Sequence, residues 1–175
     1  MTDKIYLVGF MAAGKSSLAA ELSRRLDWPV RDIDEIIERL EHRTVAAIFA
    51  REGEPYFRQI ERRVLHELVP QRHVIVATGG GTFVDADNRT LINADGASVW
   101  LDAPLQELLE RLPADGRRPL AADRAQMQGL YDARRAAYEQ AHWRLDASRK
   151  PVEALAEELL SRLETWQSAA QRNVK

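Results

Sequence analysis

There is no cysteine among the 175 residues, so disulfides, thiolate metal sites and a cysteine nucleophile are all excluded. A chain without thiols is at ease in a reducing cytosol, and cytoplasmic residence is the expectation. Long apolar runs are also missing. The first, residues 5–10, is too short for a signal core and far too short to cross a bilayer, which takes about 20 residues; it reads as a buried strand. Neither sign of charge dominates. A net charge of −2 gives no ground for wholesale attraction to nucleic acid or an anionic membrane, so any anion site must be local. Lysine is scarce, because 21 of the 25 cationic residues are arginine and only Lys4, Lys15, Lys150 and Lys175 are lysine. Genome base composition accounts for that bias. It still makes Lys15 informative, since lysine is a compact point charge that arginine's planar fork does not replace. His42, His66, His73 and His142 lack metal-ligand spacing, and the tryptophans at 28, 100, 143 and 166 form no stacking platform for single strands.

What is present is ordinary globular composition, 45% hydrophobic and 30% charged, in a length that suits one compact domain over residues 1–166. A frayed polar tail at 167–175 is expected. Apolar runs of strand length alternate with helical periodicity, which argues for an α/β domain with a parallel sheet. Strands are expected at 5–8, 30–32, 73–77, 97–101 and 143–147. Helices are expected after the first strand (Leu18, Leu22, Leu26), from Glu35 with Asp34 as cap, over 44–69 with a break near Gly53 and Pro55, over 105–112, over 124–142, and from Pro151 onward. The stretch PADGRRPLAAD at 113–123 has turn chemistry and no core pattern, and reads as a surface loop.

Residues 9–16, GFMAAGKS, fit G-x-x-x-x-G-K-[ST] between an expected strand and an expected helix, the context that gives the pattern its weight. Backbone N–H groups of Gly9, Ala12, Ala13, Gly14, Lys15, Ser16 and Ser17 can wrap a phosphate, helped by the positive end of the helix dipole. Lys15 can reach the β- and γ-phosphates, and Ser16 can hold Mg²⁺. ATP or GTP binding follows. A phosphate loop alone does not separate a hydrolase, a switch and a small-molecule kinase.

Five further motifs narrow the choice: DID at 32–34, Phe57-Arg58 with Glu61, GGG at 79–81, RRPL at 117–120 and RRAAY at 134–138. Taken singly they are weak. Asp34 alone would be a helix cap, and Arg58 with Glu61 an ordinary solvated pair worth a few tenths of a kcal/mol. Together, and over nearly the whole chain, they resemble shikimate kinase, of the nucleoside-monophosphate-kinase-like group. The resemblance implies a three-layer P-loop kinase fold, an α/β architecture with a five-stranded parallel sheet flanked by helices. It further implies an acceptor region at about 32–63 and a mobile lid at about 112–123. It also implies ATP- and Mg²⁺-dependent phosphorylation of the 3-hydroxyl of shikimate by a monomer with no nucleic-acid or membrane partner. Asp32 then orients water on Mg²⁺, and Asp34 contacts the acceptor hydroxyl as candidate base. Arg58 and Arg135 clamp the acceptor carboxylate, while Gly79, Gly80 and Gly81 let backbone approach the ring where a Cβ would occupy substrate space. In the lid, Arg118, next to Arg117, folds over the transferring phosphoryl group. Arg111 and Arg149 flank adenine. Two rivals share the phosphate loop. One is a gluconate-type kinase; the other is a nucleotide-binding regulatory module without catalysis, whose mark would be loss of Lys15, Asp34 or Arg118, all of which are present.

Ala12 stands where related loops commonly carry another glycine. If the position needs a positive φ, alanine costs about 1–2 kcal/mol, which a fold stable by roughly 5–15 kcal/mol absorbs. Ala12→Gly should therefore leave phosphate transfer nearly unchanged in a side-by-side turnover assay, and a large gain in the variant would show that the natural loop is crippled.

Overall fold

The computed structural model describes residues 3–112 and 124–172. In chain order its elements are β1 (Lys4–Val8), α1 (Lys15–Leu26), β2 (Val30–Asp32), α2 (Ile33–Glu41), α3 (Val45–Leu68), β3 (Val74–Ala77), α4 (Ala86–Asp95), β4 (Ala97–Asp102), α5 (Leu105–Glu110), α6 (Arg124–Tyr138), β5 (Trp143–Asp146) and α7 (Val152–Arg172). The five strands form one sheet in the order β2-β3-β1-β4-β5, and every pairing is parallel. Every residue of β1, β3 and β4 is buried, as a sheet covered on both faces requires. Helix α1 packs on α7 and on β3, α2 packs on α3, and α4 lies against β4. This is the layered α/β architecture expected from the alternating pattern.

Parallel pairing has a functional consequence: the C-terminal ends of all strands lie on one edge. The chain turns left from β1 to β2 and right from β3 to β4, so the order reverses beside β1, the place where open α/β sheets bind ligands. The phosphate loop leaves β1 there, Asp32 ends β2, and Thr78-Gly79 follows β3.

Several boundaries differ from expectation. Asp32, rather than Asp34, caps α2, its Oδ1 accepting from Asp34 N at 3.0 Å and Glu35 N at 3.3 Å. The helix thus begins at Ile33, two residues earlier than expected, and the Asp34 side chain is not its cap. The break expected near Gly53 is a kink inside α3, with Gly53 at φ 79 and Pro55 just beyond it. Helix α4 was not anticipated: its sequence, ADNRTLINAD, offers a weak apolar stripe, although the Asp85 cap before it was a visible start signal. Helix α5 is shorter than expected, and α6 ends at Tyr138, not 142. The last helix continues past Trp166 to Arg172, where the frayed tail was placed.

One charged residue is built into the core. Lys4 has no exposed surface, and its Nζ donates to the carbonyls of Leu68 and Val69, both at 2.9 Å, and to Asp95 Oδ2 at 2.6 Å. Tyr6 donates its hydroxyl to the same carboxylate oxygen at 2.5 Å. Burial and then Asp95 hold the Tyr6 pKa well above its usual value, which keeps that hydroxyl a donor. Strand β1 is thereby tied to the ends of α3 and α4. Lys4→Met keeps the aliphatic volume but leaves Asp95 and two carbonyls short of a donor, so it should cost about 3 kcal/mol. Urea unfolding is the check: a lowered midpoint at unchanged slope is expected, and an unmoved midpoint would show the network to be dispensable.

Candidate active site

The edge of the sheet opens into a cleft of about 930 Å³, large enough for two small ligands. At one end lies the phosphate loop. Gly14, at φ 96, occupies the N-cap of α1, a left-handed conformation that costs glycine little. Ala12 does sit at positive φ, 59°, so the conditional strain expected there is present. Lys15 Nζ donates to the carbonyls of Gly9 at 2.9 Å and Phe10 at 2.8 Å, which folds its charge back across the loop mouth. The stretch from Met11 to Ser17 lines the cleft.

Ser16 Oγ donates to Asp32 Oδ2 at 3.3 Å. Asp32 therefore divides its carboxylate, one oxygen on the α2 cap and one toward the loop serine. Mg²⁺ is commonly held by one or two such oxygen groups, with phosphate oxygens and waters completing the shell, and the Ser16–Asp32 pair fits that set. Among the described residues no three His, Cys, Asp or Glu side chains form an all-protein metal cage.

The glycine run lines the cleft, and the space a Cβ would take there is crowded by the protein's own side chains. An ideal Cβ on Gly79 would lie 2.9 Å from Asp34 Oδ1 and 3.1 Å from Glu61 Oε1. On Gly80 it would meet Arg134 Nη1 at 3.1 Å and Met11 N at 3.6 Å; on Gly81 it would sit 2.2 Å from Arg58 Nη2. The missing side chains make room for the protein's own functional groups. Asp34, Arg58 and Arg134 can crowd onto the strand end only because no Cβ stands there.

Arg58 is where the spacing put it. Its Nη1 donates to Glu61 Oε2 at 2.8 Å, and its Nε and Nη2 reach Glu54 Oε1 at 3.1 and 3.0 Å. Glu61 is fully buried. Burial works against the Arg58 charge, the Glu61 carboxylate outweighs it, and the net shift of the guanidinium pKa is upward. Arg58 remains a cation facing the cleft.

Of the two adjacent arginines it is Arg134, and not the expected Arg135, that lines the cleft. On α6 the buried stripe runs Met127, Tyr131, Arg134, Tyr138, the i, i+4, i+7, i+11 spacing of one helix face. Arg135 lies about 100° around the helix from Arg134 and points elsewhere. Its Nη1 donates to Tyr131 Oη at 2.8 Å and Asp102 Oδ1 at 3.3 Å, and its guanidinium lies 5.2 Å from the Trp100 ring centroid. Arg134 lines the cleft, 5.6 Å from the Phe10 ring centroid, and Arg135 is not among the lining residues. The apolar stripe on α6 carried this signal in the sequence, and the RRAAY motif alone could not separate the two. Tyr138 completes the group: its hydroxyl donates to the Gly80 carbonyl. Burial pushes the Tyr138 pKa up to about 12 against the opposing charges of Arg134 and Arg58, so it stays a donor.

Elsewhere on the cleft wall, Arg111 Nη2 donates to the Ala147 carbonyl at 3.1 Å and to Glu107 Oε2 at 3.2 Å, and Arg111 lines the cleft beside Lys150, Val152 and Leu155. Arg149 does not line it. Its side chain is 89% exposed, 3.6 Å from Glu107 Oε1, which leaves only Arg111 of the expected adenine pair on the cleft wall. Arg117, Arg118 and the lid loop at 113–123 lie outside the described residues.

With this geometry in view, comparison with known proteins is informative. A family model described as shikimate kinase matches residues 11–164. A shikimate kinase from Persephonella marina is 36% identical over 160 residues, covering 91% of this chain and 98% of that protein. A shikimate kinase from Acinetobacter baumannii, solved in complex with shikimate, superposes with a TM-score of 0.88 at 34% identity, covering 94% of each chain. A gluconokinase from Sinorhizobium meliloti, 15% identical with a TM-score of 0.63 over 99% of this chain and 98% of its own, shares the fold alone.

Swapping the two adjacent arginines separates their roles. Arg134→Ala should raise the KM for a carboxylated acceptor by about tenfold or more, because a charge-assisted hydrogen bond contributes roughly 1.5–3 kcal/mol, whereas Arg135→Ala should change it by no more than about threefold. Steady-state kinetics with the acceptor varied decides it, and a larger effect at 135 would reverse the correction.

Proposed function

The chain belongs to the shikimate kinase family, and from that membership we propose that it transfers the γ-phosphoryl group of ATP to the 3-hydroxyl of shikimate, with the residue roles that follow. One observation carries the reading: a single cleft is lined at one end by Lys15 and Ser16 of the phosphate loop and at the other by Arg58 and Arg134. The donor's phosphates are an anion and the acceptor's carboxylate is another, and the two cationic ends match them.

At the donor end the loop amides and Lys15 hold the phosphate oxygens where charge develops during transfer, so that no solvent has to reorganise at that moment. Ser16 directly and Asp32 through water would hold Mg²⁺, which supplies charge neutralisation on the donor phosphates. Arg111 provides a planar guanidinium for the base.

At the acceptor end Arg58 and Arg134 take the carboxylate and set the ring's orientation. A neutral polyol would offer neither guanidinium a charge-assisted hydrogen bond and would bind more weakly than a carboxylated acceptor. Asp34, beside Gly79 and released from the capping role by Asp32, accepts or orients the proton of the attacking hydroxyl. Arg118 is proposed to stabilise the transferring group from the lid, as an arginine so placed can contribute about 10³–10⁵ in rate. The protein acts as a monomer in the cytoplasm on small molecules. Supporting this, the large apolar side chains exposed among the described residues are Leu40 and Trp166, too few for a dimer face, and no described helix is long and apolar enough to cross a membrane.

A coupled ADP-release assay with shikimate, gluconate and an uncharged cyclic polyol as acceptors tests the reading. Turnover with shikimate well above the others is expected, and Arg58→Ala should weaken shikimate by about tenfold or more while ATP changes by about twofold or less. A wide preference for gluconate would overturn the substrate, and unchanged shikimate affinity in the variant would remove Arg58 from the acceptor pocket.

A further inference from the structure

We propose that Thr82 is a positioning residue for the acceptor, acting through Glu61 on Arg58; the inference rests on the acceptor reading just given. Thr82 directly follows the glycine run and has no exposed surface. Its Oγ1 donates to Glu61 Oε1 at 2.6 Å, while Glu61 Oε2 accepts from Arg58 Nη1 at 2.8 Å. The two oxygens of one buried carboxylate are thus divided between a hydroxyl and the guanidinium that faces the cleft.

Thr82 is itself anchored. Its carbonyl accepts from Asn88 Nδ2 at 3.1 Å, and the backbone N–H of Asn88 donates to Asp85 Oδ1 at 3.0 Å at the start of α4. A chain of hydrogen bonds therefore runs from the α4 cap through Asn88, Thr82 and Glu61 to Arg58. The β-branched side chain has restricted χ1 freedom, so the hydroxyl is delivered in a defined direction. Space is tight as well: an ideal Cβ on Gly79 would lie 3.1 Å from Glu61 Oε1 and 3.2 Å from Thr82 Oγ1.

Arg58 is pulled two ways, inward by Glu61 and outward by Glu54, whose side chain is 60% exposed. The outward partner is solvated and weak. Without the Thr82 donor, the inner carboxylate is left with an unsatisfied oxygen in a dry site and must rotate or admit water. Either response re-aims Arg58. The effect reaches the acceptor end of the cleft and leaves the phosphate loop untouched.

Thr82→Ser, Thr82→Ala and Thr82→Val test this, with shikimate and ATP each varied at saturating levels of the other. Serine and alanine differ by the hydroxyl alone, so that pair carries the test even if the valine variant does not fold. Thr82→Ser should keep the KM for shikimate within about threefold of wild type, and Thr82→Ala and a folded Thr82→Val should raise it by about tenfold, with the KM for ATP within about twofold in all of them. Equal shikimate KM values for the serine and alanine variants, or parallel rises in both KM values, would overturn the inference. Wild-type protein that does not phosphorylate shikimate would bring down the acceptor reading, and this inference with it.

Discussion

A carboxylate with no exposed surface lies between α3 and the glycine run, and the acceptor half of the cleft is arranged around satisfying it. Glu61 is neutralised by Arg58 and hydrogen-bonded by Thr82. Removing two charges from water is expensive, and such a pair adds little net stability compared with an apolar substitute. What it supplies is direction. Arg58 is a long side chain with several rotatable bonds, and the buried acid holds its fork over Gly81, where a Cβ would collide with it at 2.2 Å. Gly79 and Gly81 leave room for that acid and its guanidinium partner, and Thr82 supplies its second hydrogen bond.

The donor half is built differently, from backbone. Gly14 and Ala12 stand at positive φ in the loop, and Lys15 is tied to the carbonyls of that same loop. The halves meet at Gly80, whose missing Cβ leaves space between Arg134 and the backbone of Met11, and whose carbonyl is held by Tyr138. In-line transfer demands a fixed separation between donor and acceptor, and this seam lies between the parts of the cleft proposed to hold them.

Arginine is abundant, and most of it does not belong to the cleft. Arg135 and Arg144 share Asp102 and lie on Trp100, while Arg149 takes Glu107. Each is explained by a nearby acid, so the count of cations says little about function. Arg58, Arg111 and Arg134 differ in that they line the cleft.

Local chemistry was legible. The spacing of Gly9, Gly14, Lys15 and Ser16 between a buried strand and a helix, the apolar runs of the sheet, and the Arg58–Glu61 interval on one helix all act over a few residues of chain, where backbone geometry leaves few alternatives. The stripe through Met127, Tyr131 and Tyr138 marked Arg134 as inward, although the motif drew attention to Arg135. Helix α4 was hidden by its polar composition, and the division of labour between Asp32 and Asp34 depended on which carboxylate the helix start would use. Thus the sequence by itself determined the phosphate-loop motif, the parallel α/β sheet and the Arg58–Glu61 pair. Only the tertiary structure decided which of Asp32 and Asp34 caps α2, what the three glycines make room for, and what Glu61 leans on. Those answers depend on separate segments converging on one sheet edge, and convergence is set by packing between elements distant in the chain.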